Sequence, residues 1–183
     1  MSYGIAIPSR NTQSPKPASI LSAKNMLAML GALLLATSLL FSGRASADPA
    51  VANQVMQVIR LDRQVFDMHL QIARQHATNG NVNAARTAFI SAHMKAIILN
   101  LDLVRLREAN QDSLDRGLYR DRAALERAIQ FGQQATLQSQ IVAMDLQLLT
   151  QDPLSLSLRA RLDMDLVMLD MNMTQLEQAM RDA

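Results

Sequence analysis

Leu162, Leu166, Leu169, Met173, Leu176 and Met180 step along the chain in alternating fours and threes. Residues three and four apart share one face of an α-helix, so this spacing describes a helix that buries a narrow stripe. The same alternation carries Ala85, Phe89, Ala92, Ala96, Leu99, Leu103 and Leu106. Ile90, Met94, Ile97, Leu101 and Val104 form a second seam beside it, and the two together predict a wide core face. A third stripe of smaller residues reads Ala124, Ala128, Phe131, Ala135, Val142, Leu146 and Leu149. In the first periodic segment Val51, Val55, Val58, Val65, Ile72 and Ala73 fall on one face.

Breakers separate these segments. Asn79-Gly80-Asn81 offers a left-handed glycine to end one helix and an asparagine to cap the next. Asp152-Pro153 stops a helix, because proline disfavours helical backbone in the residue before it. Asn110 to Tyr119 reads as a polar connection. The spacing predicts helices over 50–78, 82–109, 121–150 and 154–181. Short connectors between long helices imply antiparallel neighbours. The expected fold is all-α: an up-down-up-down four-helix bundle behind an N-terminal signal peptide.

The signal peptide rests on three ordered features. Residues 1–25 carry Arg10, Lys16 and Lys24 and no acid; Met26 to Phe41 are apolar and uncharged; Ala45 and Ala47 supply the small residues of a cleavage site. Cleavage is placed after Ala47, leaving 48–183 as the bundle domain. The competing reading is an uncleaved anchor, but the apolar run is shorter than the roughly 20 residues that span a bilayer. Export predicts a periplasmic or secreted protein in a bacterial envelope. It also removes four of the 18 cations and none of the 16 acids, so the mature chain is mildly acidic. The sequence pI near 9.4 belongs to the precursor and gives no reason to expect nucleic acid.

Composition excludes several chemistries. Without cysteine there is no disulfide, thiolate metal site or covalent haem attachment. Aromatics make up 3 % of the chain and tryptophan is absent, so no platform stacks bases. No nucleophile elbow, phosphate loop, dinucleotide fingerprint or zinc-protease helix occurs. Three glutamates after the signal are too few for a carboxylate-bridged di-iron bundle. Catalysis is not expected.

Two polar features stand out. Asp62, His69 and His76 are spaced by seven within the first segment, and His93 falls on the apolar face of the second. With the Gly80 turn as pivot, His69 is expected opposite His93, Asp62 opposite Asn100 and His76 opposite Arg86. Such a layer suits either a hydrogen-bonded core that fixes register or a metal or haem site held by His69 and His93, with Asp62 and His76 nearby. No cofactor is the first expectation; haem, zinc or copper is the alternative. The other feature is Met164, Met168 and Met171, which with Val167 lie opposite the core seam of the fourth segment. An apolar stripe facing outward marks a docking surface for a second copy or another envelope protein. A weaker alternative is copper handling through the thioethers.

Overall fold

The computed structural model describes residues 49–183, with side-chain burial given from Val51; the signal-peptide and cleavage-site readings lie outside these residues. The described chain is all-α. Four helices follow one another: α1 (Pro49–Thr78), α2 (Val82–Asp115), α3 (Arg122–Gln151) and α4 (Leu156–Asp182). Asn81, Asp121 and Ser155 cap α2, α3 and α4, each accepting from a backbone N–H of the first turn.

Both α1 and α2 end in the same way. Gly80 and Gly117 adopt φ of 70°. The N–H groups of Gly80 and Asn81 bond to the carbonyls of Ala77 and His76, and those of Gly117 and Leu118 bond to Leu114 and Ser113. These paired bonds satisfy the last carbonyls of each helix. The expected connector from Asn110 to Tyr119 is thus half helix: α2 runs on through Asp115. Asn110 and Ser113 continue the step of fours and threes beyond Leu106 and are buried, which keeps the helix going despite their polarity.

The core is one layer of aliphatic side chains between the helices. The α4 seam holds as expected, with Leu162, Leu166, Leu169, Met173 and Leu176 buried and Met180 packed at its edge. In α3, Ala124, Ala128, Ala135, Val142, Leu146 and Leu149 are buried and Phe131 packs beside them. In α2 only the first seam enters the core. Ile90, Ile97 and Leu101 are exposed, because at about 100° per residue they lie on the side of α2 opposite the buried row of Ala85, Ala92, Ala96, Leu99 and Leu103.

The first helix departs furthest from expectation. Its buried residues are Ala52, Met56, Ile59, Phe66, Leu70, Ala73 and Ala77, whereas Val58 and Ile72 are exposed. The true seam is also in fours and threes, but Arg63 occupies one of its positions with a side chain only 15 % exposed. The helix is therefore turned by about one residue, roughly 100°, from the face its valines suggest.

Each helix packs along the next one in the chain. The closing pair, α1 and α4, differs: no Cα of one comes within 8 Å of a Cα of the other. Ion pairs span this wider seam, Arg60 to Glu177 at 2.9 Å, Arg63 to Asp170 at 2.9 Å, and Arg74 to Asp163. Ascending residues of α1 meet descending residues of α4, so the two helices are antiparallel.

Candidate functional site

The turn of α1 decides where its polar residues go. Asp62, His69 and His76 are half-buried on its flank toward α2, where Asp62 accepts a hydrogen bond from Lys95 at 3.1 Å. On α2, His93 shares a heptad line with Arg86 and Asn100, and both of these reach α3. Arg86 donates to the carbonyl of Thr150 at 2.9 Å; Asn100 donates to the carbonyl of Thr136 at 2.9 Å and to Ser139 Oγ at 2.6 Å. His69 and His93 consequently lie on different seams. The facing pairs expected from the Gly80 pivot, Asp62 with Asn100 and His76 with Arg86, are replaced by Asp62 with Lys95 and Arg86 with Thr150. Among the described residues no three His, Cys, Asp or Glu side chains converge on one metal position. Burial holds the His93 imidazole below its usual pKa, favouring the neutral form.

Carboxylates dominate the inner polar chemistry instead. Asp102 is buried, which pushes its carboxyl above the usual range; Arg105 at 2.8 Å draws it back, and the negative charge of nearby Asp62 adds to the rise. Across the α3–α4 seam Asp145 is 2 % exposed and accepts from Arg161. Burial, then the neighbouring Asp145 carboxyl, raises the Asp165 carboxyl, while Gln138 and Arg161 oppose the rise. Each carboxylate pair is thus held beside a cation. Such paired charges on facing helices can set the helices' relative register.

The outer surface of α4 carries the methionine stripe. Met164, Val167, Met168 and Met171 are all exposed, Met164 most of all at 72 %. Val167 sits on the line of Asp163 and Asp170, which reach α1, so it forms the shoulder of the stripe. Met164 and Met168 turn the other way, toward α3, while Met171 lies between them and Val167. The register there is set by Gln138, which donates to the backbone and side-chain oxygens of Asp165 at 3.2 and 2.9 Å, and by Arg161 with Asp145. That register sets Leu137 level with Met168 and Ile141 level with Met164. Leu137, Ile141, Met144 and Leu148 are exposed as well. The methionine stripe is therefore half of a two-helix face.

The face is close to uncharged. Between Arg127 and the end of α3 the one ionisable side chain is Asp145, which is buried; the exposed polar residues are glutamines. Arg161, its side chain half exposed, bridges to Asp145 across the α3–α4 seam that runs along the middle of the face. The α3 half escaped sequence reading because its exposed residues alternate with glutamines. A stretch of more than twenty helical residues with a single ionisable side chain, Asp145, was the available signal. No protein-family model, curated protein or solved structure matches the chain.

Proposed function

We propose that this protein is a small exported helical bundle that acts by protein binding, as a scaffold, and that its partner is a second copy docked through the α3–α4 outer face. The observation that carries this reading is the largely apolar surface formed by Leu137, Ile141 and Met144 with Met164, Met168 and Met171, whose one cation, Arg161, is paired with Asp145. The up-down-up-down bundle behind a signal peptide, in the periplasm or outside the cell, is the setting proposed for it.

Three arguments favour a copy of the same chain. A two-fold interface lays a surface on itself, so any net charge would meet its like; this face carries almost none. Its extent is adequate: about 27 Å along α3 by about 20 Å across two helices, roughly 540 Å² in projection, near the low end of specific interfaces at about 600 Å² a side. A membrane surface would instead call for Lys, Arg and aromatic residues along the face, and here there are glutamines. The alternative of a metal or haem held by His69 and His93 has less support, since these two histidines lie on different seams.

Sedimentation equilibrium tests the proposal. The protein is expected to dimerise at micromolar concentration, and Ile141→Asp with Met168→Asp is expected to give a monomer of unchanged helicity. A wild-type monomer up to about 100 μM, weaker than the specific complexes typical of this size, would refute self-association. A dimer that persists in the double variant would move the interface elsewhere.

A further inference from the structure

The structure points to a second binding site, at the end of the bundle where α1 and α3 begin and α2 and α4 finish: we propose that this cleft takes a small carboxylate with an apolar body. The cleft has a volume of about 680 Å³, within the range of small-molecule sites. Leu118, Leu125 and Met180 provide an apolar wall. The lining side chains that carry charge are two arginines, Arg120 and Arg181, both exposed at the rim. Ala183 also lines the cleft, but its oxygen is taken up by the N–H groups of Arg120 and Asp121 at 2.6 and 3.2 Å.

Asn110 supplies the independent sign of a ligand. It lines the cleft, is 2 % exposed, and its amide nitrogen has no hydrogen-bond partner. An unpaired buried amide costs stability, and a leucine of similar size in the same seam position would not. Next to it Ser113 spends its proton on the carbonyl of Ala109 at 2.9 Å, so its oxygen remains an acceptor. A buried donor beneath an apolar wall and under two guanidinium groups fits a molecule with an anionic head and a greasy body. Arginine suits a carboxylate better than a point cation does, because its planar fork can hold both oxygens.

Octanoate is the probe, with octylammonium as the head-group control and acetate as the control without a body. Octanoate is expected to bind the wild type and raise its melting temperature, since a ligand of the native state stabilises by mass action; the two controls are expected to do neither. Arg120→Ala with Arg181→Ala, both at exposed positions, is expected to weaken octanoate at least tenfold. Asn110→Leu is expected to melt no lower than wild type and to lose octanoate at least fivefold. If octanoate leaves the wild type unchanged, the proposal fails. It also fails if Asn110→Leu binds octanoate as wild type does, because the amide would then be a hydrated packing defect. Equal binding by wild type and the arginine double variant would also overturn the proposal, because the guanidinium groups would then take no part in holding the carboxylate. None of these variants touches that face, so the oligomeric state should stay as in wild type.

Discussion

Arg63→Met tests whether charge closes the bundle. Arg63 stands in the α1 core seam with its guanidinium 5.3 Å from the centre of the Phe66 ring. Its Nε donates to both oxygens of Asp67 at 3.1 Å, and its Nη1 lies 2.9 Å from Asp170 of α4, a Coulombic contact outside hydrogen-bond geometry. Methionine keeps the apolar stem of the arginine and removes the head. The lost parts are about 0.5 kcal/mol for the pair within α1, about 0.7 kcal/mol for the half-exposed pair across the seam and about 0.8 kcal/mol for the cation over the ring. Near neutral pH the variant should therefore lose about 2 kcal/mol, or roughly 8 °C of melting temperature for a chain of this size. Burial already pushes the Asp170 carboxyl up, and Arg63 is what draws it down. By about pH 3 the raised Asp170 carboxyl is protonated, so the pair across the seam vanishes and the deficit should shrink to about 1.3 kcal/mol. Molar salt should shrink it in the same way, since the screening length falls to about 3 Å. Circular-dichroism melts at the two pH values and two salt concentrations give the answer. A deficit that ignores both pH and salt would mean that the head acts by packing, and the electrostatic account of the seam would be wrong.

Other expectations are simpler to check. The Asp102 carboxyl is raised in the folded state, so its contribution is fully present below about pH 4 and is lost as pH rises through the folded value; Asp102→Asn should be at least as stable as wild type at pH 7, with a flatter stability profile between pH 4 and 7 in urea titrations. His93 is lowered, so its contribution is present above its ordinary value and is lost as pH falls; His93→Gln should blunt the stability lost between pH 7 and 5. Gly117 has open space around the place of a Cβ but a φ of 70°, so Gly117→Ala should cost about 1 kcal/mol by strain alone, read as a shift in denaturation midpoint with unchanged slope.

How far the sequence reached can be seen helix by helix. The α4 and α3 stripes were legible because their seam positions are apolar without interruption. In α1 a charged residue occupies a seam position, and the eye moves to the unbroken valines one residue away. That displacement carries Asp62, His69 and His76 with it, which is why the histidine layer read as a core feature. The end of α2 was hidden for the same reason: Asn110 and Ser113 keep the spacing of the seam but not its chemistry. Of the outer face, the methionine half could be read because methionine is conspicuous. The α3 half, apolar residues set among glutamines, shows only once the register with α4 is known.

The order in which the helices pack has a kinetic consequence. Every close interface joins neighbours in sequence, so each can form by closing a short loop, which costs little chain entropy. Topologies of this kind, dominated by local pairings, fold quickly. The wide α1–α4 seam is the exception, since it alone brings together the two ends of the described chain. Its ion pairs attract across several ångströms before any packing is complete, so the last and longest closure is guided by charge. The same seam can part without disturbing a single helical hairpin, which makes it the natural place for the native state to breathe.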